Sequence, residues 1–200
     1  QHLGPLWGAI THEVMRFMCE AQGAELAIIL ESHVECKTDP TVELQQVIDQ
    51  RAVQLLESGA VQQVEVTRIV VGYARLAMAK PSPVLSSLLL VETSKLSMMM
   101  GATEVGMSIY GWGMLSHSSA SGSLQPNLLM VVRALMERVG TILSNEMDPE
   151  HSKMCALDLS WAMWGFFNLQ CTPSNDLLEL LQARVNTVSA CFVGRPCLFH

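Results

Sequence analysis

Along this chain the apolar positions recur every three to four residues, and prolines and turn residues break the recurrence at intervals. A period near 3.6 predicts amphipathic helices. Four of the segments align on an acidic residue followed by an aliphatic one: "ELAIILESHVEC" from Glu25, "EVTRIVVGYARL" from Glu65, "EVGMSIYGWGML" from Glu104 and "DLSWAMWGFFNL" from Asp158. With the acid counted as zero, position one is Leu26, Val66, Val105 or Leu159, and position five is Leu30, Val70, Ile109 or Met163. Position seven is small (Ser32, Gly72, Gly111, Gly165), position eight carries a ring (His33, Tyr73, Trp112, Phe166), and position eleven is Cys36, Leu76, Leu115 or Leu169. Positions one, four, five, eight and eleven share one helical stripe, and the small residue at seven borders it, where a neighbouring backbone can come close. The acid at zero suits a helix N-terminus, whose unpaired amides carry partial positive charge.

Each of these helices then meets a proline that is expected to open a second helix: Pro40 after Asp39, Pro83 after Ser82, Pro126 after Gln125 and Pro173 after Thr172. Proline is tolerated in the first helical turn because its missing amide had no partner there. The second helices read "TVELQQVIDQRAVQLLESG", "VLSSLLLVETSKLSMMMG", "NLLMVVRALMERVGTILSN" and "SNDLLELLQARVNTVSACF", with Gly59 and Gly101 expected to close the first two. The acids lie 40, 39 and 54 residues apart, the last interval stretched by polar insertions at 116–123 and 145–153. The pattern predicts an all-α chain, an α-solenoid of stacked helical hairpins with about nine helices. Residues 1–24 read as the second helix of a partial leading repeat. Four hairpins follow at 25–64, 65–103, 104–157 and 158–192, and 193–200 is a tail.

The first-helix pattern, acid-Leu-small-x-x-Leu-Trp-small-Leu-small-x-Leu, resembles the octotricopeptide repeat and its heptatricopeptide and FAST-kinase-like relatives. "DLSWAMWGFFNL" fits best, with Trp164 at the family tryptophan; Tyr110, Val71 and Glu31 stand there in the other three copies. The resemblance covers roughly residues 25–190. It implies a helical-repeat protein of mitochondria or, alternatively, plastids. Such proteins bind RNA in processing, stability control or translation, and some are built into organellar ribosomes. The expectation is a structural, RNA-associated subunit of an organellar ribonucleoprotein, with the mitochondrial ribosome first. Its expected partners are other protein subunits of a large assembly and rRNA or another organellar RNA. The alternative is a protein-only scaffold in another mitochondrial complex.

Composition narrows this. Half of the 200 residues are hydrophobic and 16% are charged, enough to bury a core. A formal charge of −7 argues against phosphate binding over the whole surface and leaves room for a local basic strip. Six cysteines without a CxxC pair fit small core residues in a reduced compartment. The uncharged run from Val105 to Val132 contains "SHSSASGSLQPN", whose polar loop residues exclude it from hydrocarbon, so no membrane span is expected.

No catalytic pattern emerges. "HEVMR" at His12 lacks the second histidine of a zincin helix, His151 and Cys155 lack a third ligand, and the Ser-rich stretch around His117 lacks a nucleophile elbow. An enzyme, a cofactor, a metal and a small-molecule substrate are therefore not expected. For RNA, positions three and ten of the first helices supply the candidate strip: Ile28 and Glu35, Arg68 and Arg75, Met107 and Met114, Trp161 and Asn168. Arg68 and Arg75, with Lys80 beyond them, form the one basic cluster, suited to a phosphate backbone, and Trp161 is a candidate to stack on a base. The competing reading makes the arginines solvated or carboxylate-paired and Trp161 part of the solenoid core.

Overall fold

The computed structural model describes residues 4–117, 126–145 and 154–193. Among these residues there are nine α-helices and no strand. They are α1 (Gly4–Phe17), α2 (Gly23–Glu35), α3 (Val42–Glu57), α4 (Gln63–Arg75), α5 (Pro83–Leu96), α6 (Ala102–His117), α7 (Pro126–Ser144), α8 (Ala156–Asn168) and α9 (Asn175–Val193).

The helices lie in two rows. Helices α2, α4, α6 and α8 pack one on the next, and α1, α3, α5, α7 and α9 do the same beside them. Each first helix also touches the second helix of its own hairpin. The chain is an α-solenoid of stacked helical hairpins, with a core running the length of the array between the rows.

The repeated residues explain the first row. The acid at zero is the third residue of its helix, and in three of the four copies its carboxylate turns back to accept the amide of the residue before the helix. Glu25 accepts from Gln22, Glu65 from Gln62 and Asp158 from Cys155, each at 2.8 Å. Positions one and eight are buried in all four copies. Position seven sets how closely the helices approach. A Cβ on Gly72 would stand 2.8 Å from Leu30 Cβ, and one on Gly111 would stand 2.8 Å from Val70 Cγ1. One on Gly165 would run into the Ile109 carbonyl. Each small residue therefore seats the position-five residue of the preceding first helix. Ser32 has no such helix before it among the described residues and is exposed.

The second row begins differently from the sequence expectation at two places. Pro83 is the first residue of α5, capped by Ser82, whose hydroxyl accepts from the Leu85 amide at 3.3 Å. By contrast, α3 is capped by Thr41 and the α9 amide of Leu177 is taken by Ser174, so Pro40 and Pro173 lie one residue ahead of the cap. The hydroxyl decides the start, because it supplies the missing acceptor that a proline cannot. Gly59 closes α3 with φ +69°, as expected. Gly101 does not close α5. That helix ends at Leu96 and runs through a 3-10 turn at Ser97–Met99, and Gly101 stands at the start of α6 beneath the Glu104 carboxylate.

Candidate interaction surface

Arg68 and Arg75 project from α4 toward α2, across the joint between the first two hairpins. The Arg68 guanidinium holds Glu31 with both arms, Nε to Oε1 at 2.8 Å and Nη2 to Oε2 at 2.5 Å. This contact holds the Arg68 guanidinium protonated to higher pH than usual. Seven residues on, Arg75 Nη2 donates to Glu35 Oε1 at 3.2 Å. The strip at positions three and ten is thus half inside the joint, and its two arginines are each matched by a carboxylate of the neighbouring helix.

Lys80 lies past the end of α4 in the connection to α5. Its carbonyl accepts from the Gln45 side chain of α3, and among the described residues its ammonium is in no ion pair. Trp161 sits half-buried on α8, and α6 lies between that helix and α4. The four residues do not converge on one site: three gather near the α2–α4 joint and the fourth is at the far end of the row.

Behind this joint is a buried polar network absent from the sequence expectations. Asp49 of α3 accepts from the Tyr73 hydroxyl of α4 and from the Ser82 amide at 2.7 Å. Burial, then the Asp49 charge, pushes the Tyr73 phenol far above its ordinary pKa and keeps it a donor. His33, at the same position eight one hairpin earlier, is pushed the other way by burial, toward the neutral imidazole.

A second recurring device was also missed. Arg51, Arg138 and Arg184 each donate Nε to the carbonyl four residues before their hairpin's acid: Ala21 at 2.7 Å, Met100 at 2.8 Å and Met154 at 2.9 Å. The signal is present in the sequence. Once the 116–123 insertion is set aside, the three arginines share one offset from the acid, and Val91 takes that place in α5. Each locks a second helix to the entrance of its own first helix, a charge-assisted bond worth about 1.5–3 kcal/mol.

The two ends of the array carry exposed apolar surface. A groove of about 690 Å³ runs between α1 and α2, lined by Ile10, Val14, Phe17, Ile28 and Ile29 with Glu13, Glu20 and Glu25 beside them. At the other end, Leu157, Met163, Trp164 and Phe167 of α8 face outward, with Trp164 54% and Phe167 76% exposed. The rings of Trp164 and Phe167 lie 6.4 Å apart, and the only charged residue of α8, Asp158, is buried on the opposite side. The stripe therefore carries no charge.

Among the described residues, no group of three His, Cys, Asp or Glu side chains is placed to hold a metal, and no helix is long and apolar enough to cross a membrane. His151 and residues 118–125 fall outside the described residues. No family model, no curated protein and no solved structure matches the chain.

Proposed function

We propose that this protein is a structural subunit: a helical-repeat scaffold in an organellar ribonucleoprotein, the mitochondrial ribosome first, that holds neighbouring proteins through its apolar ends. The observation that carries the scaffold reading is the uncharged aromatic stripe on α8. Isolated exposed leucines are ordinary, but a contiguous apolar face with two exposed aromatic rings marks an interaction surface. The organellar setting rests on the repeat resemblance. RNA contact is secondary in this reading, because Arg68 and Arg75 already neutralise Glu31 and Glu35 and the net charge is −7.

Those same paired arginines favour, as a second reading, a scaffold in a mitochondrial complex without RNA. Sedimentation of the natively purified protein separates the two. The ribonucleoprotein reading expects co-migration with rRNA that ribonuclease abolishes. Co-migration that survives ribonuclease supports the protein-only scaffold, and a free, unassembled protein in native extracts overturns both.

A further inference from the structure

Three of the four hairpins are locked at the mouth, where the second helix returns to the entrance of the first. The α4–α5 hairpin is the exception. Arg51, Arg138 and Arg184 hold the carbonyls of Ala21, Met100 and Met154, and all three of those residues are buried. Their counterpart at the entrance of α4 is Val61. It is half-buried beside the exposed Ala60, and no side chain among the described residues donates to its carbonyl.

The cause is one residue in the preceding connection. By spacing from the acid, Val91 takes the arginine's place. However, α4 reaches α5 through 76–82, one residue more than the links 36–41 and 169–174, so the place moves one position along α5. Counted from the capping hydroxyls, Arg51 stands as far past Thr41 as Arg184 past Ser174, and at that spacing from Ser82 stands Glu92. Burial agrees: Arg51, Arg184 and Glu92 are each half-buried, whereas Val91 is exposed. A carboxylate has no proton to give a carbonyl, and Glu92 is engaged by Lys95, whose Nζ lies 2.5 Å from its Oε1.

The far end of the same hairpin is anchored. The Asp39 carboxylate of the α2–α3 connection accepts from the Met78 and Ala79 amides at 3.2 and 3.3 Å. The Gln45 side chain donates to the Lys80 carbonyl, and Asp49 takes both Tyr73 and Ser82. We propose that the mouth of the α4–α5 hairpin is the hinge of the array: the last turn of α5 swings away from the entrance of α4 while the connection between the two helices stays on α3. Local opening draws on the least-tied element of a fold. Because α5 packs on both α3 and α7, the swing changes the angle between the hairpins on its two sides. This inference concerns the mechanics of the chain and stands whether its partners are RNA or protein.

Amide hydrogen exchange on the full chain, with protection corrected for intrinsic rates, tests the hinge. Of the two inner first helices, residues 66–68 of α4 should be at least about tenfold less protected than 105–107 of α6, the deficit expected from one missing charge-assisted bond. Within α5, residues 94–96 should exchange much faster than 88–90. Glu92→Arg supplies a donor and should raise protection at 66–68 about tenfold. Glu92→Ala removes the charge without supplying a donor and should leave those amides unchanged. Arg138→Met, which keeps the apolar stem, should lower 105–107 to the level of 66–68. Equal protection at the two mouths of the unaltered protein overturns the proposal. So does uniformly fast exchange along α5, which would mean that the hairpin unfolds as a unit. A Glu92→Ala gain as large as that of Glu92→Arg also overturns it, by making repulsion rather than the absent donor the cause. Arg138→Met decides the matter if Glu92→Arg does not fold, since unchanged exchange at 105–107 would show that the arginine is not what keeps a mouth shut.

Discussion

The α2–α4 joint and the α6–α8 joint use the same repeat positions and opposite chemistry. At the first, a glycine meets a leucine side chain, and two arginine–glutamate pairs span the outside. At the second, backbone meets backbone. A Cβ on Gly106 would stand 2.8 Å from the Asp158 carbonyl, one on Gly113 would stand 2.8 Å from the Gly165 carbonyl, and Gly165 lies on Ile109. The Thr67–Ser108 hydroxyl bond, 3.0 Å and buried, marks the passage between them at the α4–α6 joint. The row thus shifts from a polar, side-chain-mediated seam at the N-terminal end to a dry seam of close-packed backbone at the other. Ion pairs tolerate small shifts of a helix, since long side chains follow. Backbone contact does not, because nothing can rotate out of the way.

Substitution of Gly165 by alanine should break the second seam and spare the first. With its Cβ forced into the Ile109 carbonyl, the helices must separate, costing about 3 kcal/mol and lowering the melting temperature by about 6–12 °C. Gly140→Ala is the control. Nothing stands within 4 Å of a Cβ there, so it should gain about 0.5–1 kcal/mol through helix propensity. If both variants melt alike, the close approach at Gly165 is not what holds α8.

The next effect in size belongs to the polar seam. Asp49→Ala leaves the Tyr73 hydroxyl and the Ser82 amide without their acceptor. Urea unfolding should show a loss of about 1–3 kcal/mol. Restoration by adding Tyr73→Phe should be partial, since the Ser82 amide remains unpaired.

Smallest is the pair at the surface. A double-mutant cycle of Glu31→Gln and Arg68→Gln should give a coupling of about 0.2–1 kcal/mol, shrinking in 1 M salt, where charges are screened within about 3 Å. A coupling of several kcal/mol would make the ion pairs, rather than Leu30 beneath Gly72, the main tie between the first two hairpins.

The fold was largely legible because a solenoid is a local code. A stripe at positions one, five and eight marks a helix and its buried face, and a glycine at seven marks the side that admits a neighbour. Helix starts were less legible. Pro40 and Pro173 suggested a first turn, yet Thr41 and Ser174 set it, since the side-chain oxygen satisfies an amide and proline only avoids needing one. The candidate site was legible as residues and not as an arrangement. Arg68 and Glu31 are 37 positions apart, and no spacing along either helix reveals that they meet. The Arg51, Arg138 and Arg184 ties had a periodic signal, hidden by the 116–123 insertion that shifts one of the three.

By itself the sequence determined that the chain forms helices, that they come in hairpins, and which residue of each first helix must be small, because these follow from side-chain spacing along a single backbone. Only the tertiary structure decided that the arginines of α4 are matched by the glutamates of α2, that Asp49 joins α3 to α4 and α5, and which residues of α8 are exposed. Those facts depend on how neighbouring helices are rotated against one another, which is settled through space rather than along the chain.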